Sequence, residues 1–297
     1  MVNMNNISTR KTGILLVLTA GCSWGVMGIF VRQLVKAGLT PVDIAALRAV
    51  GTLLVLGTSL ALADREAFKV RFRDLWCMAG CGILSIICFN ICYFSAIRYT
   101  TVNIAVVLLY TSPAFVMLMA AVCFKEKLTF RKIAVLLMVM LGCVLVSGVF
   151  SNGGSLSPKV LFFGIGSGFC YALYTIFGRY AQNKGYKGAA ITLWTFIFAG
   201  GAGFFILDWH KIWQIAGSGG WQFWILLTGL VLVVTVLPYC TYTAGLKRLT
   251  PSTSAIVATV EPLVGTLTGI LCFHEPLTLS AVSGMILIIG AVLFCRE

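Results

Sequence analysis

One carboxylate, Glu261, stands near the middle of a long apolar run, residues 252–273. In lipid, an intramembrane carboxylate costs about 2.5–3.5 kcal/mol on insertion scales, so such a residue points to a use. It could bind a cationic group or carry a proton; it could also join two helices as a protonated or hydrogen-bonded side chain. Arg48 is a basic residue set inside an apolar run, about a turn and a half from the end of residues 42–62. It could grip a carboxylate with two parallel hydrogen bonds, snorkel to the interface, or pair with Asp43. Pro262 interrupts the same run as Glu261, and Pro113 interrupts the run 101–124. Each removes a backbone donor and frees the carbonyl four residues earlier, which lipid tolerates only against protein or a wet cavity. Kinks lining a pathway are expected there. An uncharged set accompanies them: Trp24, Asn90, Tyr93, Tyr110, Tyr171, Tyr174 and Tyr239. Aromatic and amide groups of this kind suit a pocket for amphipathic solutes, although each alone is also an ordinary packing or interfacial residue.

Other chemistry is excluded by context. Gly21-Cys22-Ser23-Trp24-Gly25 fits a nucleophile elbow literally, but that motif needs a strand-to-helix turn and a base. The two histidines, His210 and His274, lie outside the apolar runs. Cys77, Cys81, Cys88 and Cys92 share one helical stripe, but spread about 22 Å along it, too far to share one metal ion. No phosphate-cradling G-x-x-x-x-G-K-[ST] occurs, so ATP-driven work is not indicated. No cofactor and no metal are expected.

The elements that must position these residues are set by composition. Of 297 residues, 59% are hydrophobic and 10% charged, with mean hydropathy +0.98. A soluble domain carries roughly 25% charged residues, so a soluble enzyme is excluded. Apolar stretches fall near 13–33, 42–62, 75–94, 101–124, 133–150, 159–180, 189–207, 221–243, 252–273 and 278–295. The expectation is an all-α integral membrane protein with ten transmembrane helices of about 20 residues each. Boundaries are read at Leu39-Thr40-Pro41, Asn152-Gly153-Gly154 and Ser218-Gly219-Gly220. Trp209, Trp213, Trp221 and Trp224 read as an interfacial belt. Most cysteines lie in the apolar runs, where they act as small hydrophobes.

With the N terminus inside, 16 Lys and Arg fall in inner segments and 5 in outer ones. That bias places both termini in the cytoplasm and the chain in the inner membrane. It also accounts for the net charge of +13 without nucleic acid.

The two halves repeat. Pro113 and Pro262 are 149 positions apart, as are Glu126 and Glu275, and Thr129 and Thr278; Arg32 and Arg179 are 147 apart. Residues 1–150 and 151–297 thus read as two units of five helices. Five is odd, so the second unit enters from the opposite side, as in inverted-repeat transporters with a midplane site. Trp24 matches Tyr171, and Asn90 matches Tyr239, but Glu261 matches Ser112 and Arg48 matches Thr195, so each charge occurs once. Gly21 and Gly25, Gly164 and Gly168, and Gly265 and Gly269 recur at the spacing of close helix contacts.

These residues resemble the ten-helix drug/metabolite transporters of the EamA type. The resemblance rests on Trp24-Gly25, Arg48, Pro113 with Phe124-Lys125-Glu126-Lys127-Leu128, and their echo in Glu261-Pro262 and Phe273-His274-Glu275-Pro276-Leu277. It implies two five-helix bundles around a central cavity and alternating access. It implies export of amino acids or related small metabolites, with nucleotide-related compounds or drugs as the alternative cargo. A channel or an intramembrane hydrolase would be the contrasting classes. The expected partners are a small-molecule solute and the lipid bilayer, with protons as a candidate coupling ion, no nucleic acid and no required oligomer.

Overall fold

The computed structural model describes residues 4–149 and 156–295, and among them there is no strand. The boundary read at Asn152-Gly153-Gly154 lies outside the described residues. Ten helical units follow in order. They are α1 (Met4–Gly25 and Met27–Lys36), α2 (Pro41–Ala63), α3 (Leu75–Ala79, Gly80–Ile87 and Cys88–Tyr99), α4 (Val102–Leu109 and Ser112–Phe124) and α5 (Phe130–Val146). The second half holds α6 (Pro158–Asn183), α7 (Gly188–Ile206), α8 (Trp209–Val231, Leu232–Val236 and Leu237–Leu246), α9 (Pro251–Ala258 and Val260–Phe273) and α10 (Leu279–Phe294). Eight of them are long and apolar enough to cross a membrane. The other two, α5 and α10, are shorter at 17 and 16 residues. They pack on each other where Gly142 and Gly284 each face the other's carbonyl oxygen. Arg10 Nη2 donates to Cys295 O at 3.4 Å, which sets the starts of α1 and the end of α10 at one face of the bundle, here the terminal face. The protein is an all-α membrane protein of two inverted five-helix repeats.

Local sequence explains the ends. Thr40, Thr101, Thr129, Ser157, Thr250 and Thr278 cap helices with their side-chain oxygens, satisfying amides that have no intrahelical partner. Thr40 and Asp43 make a full capping box. Asp43 also receives Lys211 at 2.6 Å, so it does not pair with Arg48. Lys125 and His274, matched in the repeat, both end helices in the left-handed region at φ 54° and 55°. After each, the next amide reaches back six residues, Glu126 to Ala120 O and Glu275 to Gly269 O, which occupies a carbonyl left over at the helix end.

One boundary moves. The Ser218-Gly219-Gly220 stretch does not separate a loop from a helix. Helix continues on both sides of it, from Trp209 through Leu246, and bends at Gly220, whose φ of 54° and ψ of −148° only glycine adopts readily. Trp213 and Trp221 flank that bend and are exposed.

Five of the ten units are interrupted. The breaks in α4 and α9 are matched, at Tyr110-Thr111 and at Thr259, and Pro113 and Pro262 sit in the first turn after each. A threonine hydroxyl at each break donates to a carbonyl three residues earlier, Thr111 to Leu108 O at 2.7 Å and Thr259 to Ile256 O at 2.5 Å. The π-helical segments Gly80–Ile87 in α3 and Leu232–Val236 in α8 are also matched. By contrast α1 breaks at Val26 while its counterpart α6 runs unbroken.

Candidate functional site

Each matched break is backed by a glycine of the other repeat. A Cβ at Gly21 of α1 would lie 2.9 Å from Ala258 O in the α9 break. One at Gly168 of α6 would lie 3.0 Å from both Leu108 O and Leu109 O in the α4 break. Helix backbones therefore touch at the two discontinuities, the close approach that small residues allow in lipid. Between them lies a central cavity of about 40 Å³. The space is narrow as it stands.

Seven of the residues singled out from sequence line it: Trp24, Tyr110, Pro113, Tyr171, Tyr174, Tyr239 and Glu261. Trp24 is the hub. Its ring meets Tyr171 at 6.4 Å, Tyr239 at 5.5 Å and Tyr242 at 5.6 Å between centroids. Tyr174 meets Tyr239 edge-on at 5.1 Å. Edge-to-face geometry aims ring edges at ring faces and fixes the cluster. The hydroxyls are anchored as well. Tyr174 OH pairs with Thr243 Oγ1 at 2.9 Å, and Tyr242 OH with Thr175 Oγ1 at 2.6 Å.

Glu261 opens the second segment of α9. Tyr171 OH donates to its Oε2 at 3.2 Å, and this is its described hydrogen bond. No Lys or Arg forms an ion pair with it among the described residues. Arg48 does not line the cavity wall. It donates from Nη1 to Met27 Sδ at 3.3 Å, a weak acceptor, and likewise has no described ion-pair partner. Pro262 is buried next to Glu261 and does not line the cavity.

Two residues stand elsewhere. Asn90 lies in a separate groove between α2, α3 and α7, beside Ile87, Phe94, Ala199 and Gly203, and gives its amide to Ile86 O at 2.7 Å. Tyr93 stacks on Phe89 at 5.6 Å, behind the wall. Ser85 and Phe89, one helical turn apart, are the α3 positions on the wall, and Phe89 meets Tyr171 at 5.6 Å. Asn90 follows Phe89 by one residue, about 100° round the helix, and so faces the groove instead. Ser85, Thr175 and Thr259 also line the cavity. A matched pair of glycines, Gly80 and Gly229, is the sequence sign at the two π-helical segments.

A profile of the EamA-like transporter family matches residues 11–148 and again 158–296. The chain belongs to the EamA-like transporter family. An uncharacterized transporter of Archaeoglobus fulgidus is 24% identical to this EamA-like transporter over 97% of the chain and 99% of its own length. A second one from that organism is 28% identical over 68% of the chain and 69% of its own length. The pseudopaline exporter CntI of Pseudomonas aeruginosa is 29% identical over 48% of each chain. A solved crystal structure at 17% identity superposes with a TM-score of 0.75 over 96% of both chains, a likeness of fold.

Proposed function

We propose that the protein exports a small organic solute, an amino acid or a related metabolite, from the cytoplasm by alternating access. The observation that carries this reading is the pair Glu261 and Arg48. Two opposite charges stand within the membrane-spanning part of the fold, each without a described ion-pair partner, on either side of an aromatic cluster. Isolated intramembrane charges are costly. A zwitterion that brings an ammonium to Glu261 and a carboxylate to Arg48 offsets both costs at once. The aromatic walls then hold its side chain, and Trp24 and Tyr171 add cation–π attraction to an ammonium. The matched breaks at Tyr110-Thr111 and Thr259 supply hinges next to that site, as broken helices do in inverted-repeat carriers. The Lys and Arg bias supports a cytoplasmic location for the terminal face. The CntI name supports the outward direction.

The test is flux in proteoliposomes against a panel of amino acids, amines and carboxylates. Zwitterions should be carried best. Glu261→Gln should lose preference for ammonium-bearing solutes, and Arg48→Gln preference for carboxylates. If both variants keep wild-type selectivity, the charge pair does not read the solute. If Glu261→Gln alters only the response to a proton gradient, Glu261 is a proton carrier instead.

A further inference from the structure

The repeat that matches Glu126 with Glu275 and Arg32 with Arg179 puts these four side chains to unequal use. At the terminal face, Glu126 is nearly buried, with 8% of its side chain exposed. It binds Lys132 at 2.7 Å and accepts from the amide of Ser252, at the start of α9, at 3.5 Å. Arg179, from the end of α6, donates to Leu249 O three residues earlier. A glutamate and an arginine thus fasten the one segment, 249–252. At the opposite face their counterparts Glu275 and Arg32 bind each other, at 2.5 Å and roughly half exposed. The segment corresponding to 249–252 is 100–103, and neither Arg32 nor Glu275 hydrogen-bonds it.

Burial follows the same division. All of Pro251–Thr259 is buried, whereas in the matching stretch 102–110 only Ile104, Ala105, Leu109 and Tyr110 are. The first segment of α9 also packs against the second segment of α4, and the mirror pairing at the opposite face is not made among the described residues to a like extent. The two faces hold corresponding segments in different arrangements, closed around α9 and open around α4.

We infer that Glu126, Arg179, Glu275 and Arg32 form a reciprocal latch. At the closed face the glutamate and arginine each grip the start of a broken helix; at the open face they grip each other. Transport exchanges the two arrangements, so that Glu275 takes the Asn103 amide and Arg32 the Thr100 carbonyl, while Glu126 and Arg179 pair. This rests on the alternating-access reading above and adds which residues hold each state. The receiving amides suit the part. Ser252 and Asn103 are each second in their helices, after caps Thr250 and Thr101, where an amide has no intrahelical partner. A carboxylate at a helix start also meets the positive end of its dipole.

The test is hydrogen exchange on the full chain in nanodiscs, followed over peptides covering 104–110 and 253–259. Ser252→Pro deletes the amide donor in a helical turn that tolerates proline. It should raise exchange across 253–259 and lower it across 104–110, each about tenfold, the size of one charge-assisted hydrogen bond. Ser252→Ala keeps the donor and should match the wild type. Asn103→Pro should keep 253–259 protected and slow solute exchange. Glu126→Gln weakens the same bond from the acceptor side, leaves the helix start intact, and should move exchange as Ser252→Pro does. Unchanged exchange in both Ser252→Pro and Glu126→Gln overturns the latch, as does Ser252→Ala behaving like Ser252→Pro. Counterflow separates this from the carrier reading. Wild-type vesicles whose internal solute fails to accelerate uptake refute alternating access. Accelerated uptake with no shift in the variants refutes the latch alone.

Discussion

A single methyl group at Gly21 should both destabilise this protein and slow it. The built Cβ would lie 2.5 Å from Val260 Cγ1 and 2.9 Å from Ala258 O, on the two sides of the α9 break. One of those atoms is backbone, so relief requires α9 to move. Overpacking of this kind costs about 1–3 kcal/mol. Replacing glycine by alanine inside a helix also returns about 1 kcal/mol of propensity, which would blur the result if Gly21→Ala were measured alone. Gly57 removes that ambiguity. It too is inside a helix, α2, but a Cβ there meets nothing within 4 Å. The propensity gain is common to both, so the difference between Gly21→Ala and Gly57→Ala should be the packing cost, about 1–3 kcal/mol. The assay is SDS-induced unfolding in mixed micelles, with flux measured in parallel. Gly57→Ala should be neutral or stabilising and transport normally; Gly21→Ala should be the less stable of the two and transport slowly. Two variants of equal stability and equal flux would refute the claim that α1 and the α9 break are in direct backbone contact.

Other outcomes follow from the same geometry. Tyr171→Phe removes the described hydrogen bond to Glu261, a bond to a charged group worth roughly 1.5–3 kcal/mol; solute affinity should fall at least tenfold while expression holds, and an unchanged affinity would detach Tyr171 from the site. Ala at Pro113 or Pro262 restores an amide next to a break and should lower turnover more than expression, and normal flux in the double variant would make the prolines simple packing. Reporter fusions after Arg73, Lys132 and Arg296 should mark cytoplasm and one after Gly154 the outside; a C-terminal reporter outside would remove the proposed orientation. Exchanging Phe89 for Ala should impair flux more than exchanging Asn90 for Ala, since Phe89 lines the cavity and Asn90 does not.

Much of this molecule was legible in the chain because lipid imposes a simple rule. Backbone groups must be paired inside each crossing segment, so apolar length alone yields helices, and α5 and α10 are recognisable although they fall short of full span length. The matched prolines announced the breaks in α4 and α9, and the lone charges Glu261 and Arg48 were visible as costs in an apolar run. Tertiary structure decided what spacing cannot carry. On α3 it is Phe89 that meets the cavity, while Asn90, one residue and about 100° further round the helix, faces a separate groove although its repeat match Tyr239 lines the cavity. Asp43 goes to Lys211, 168 residues away, and leaves Arg48 with a methionine sulfur. Above all, the two repeats adopt different arrangements at their two faces. The sequence match of Glu126 with Glu275 and of Arg32 with Arg179 does not distinguish them; only three-dimensional packing sets which glutamate reaches a helix-start amide and which pairs with an arginine.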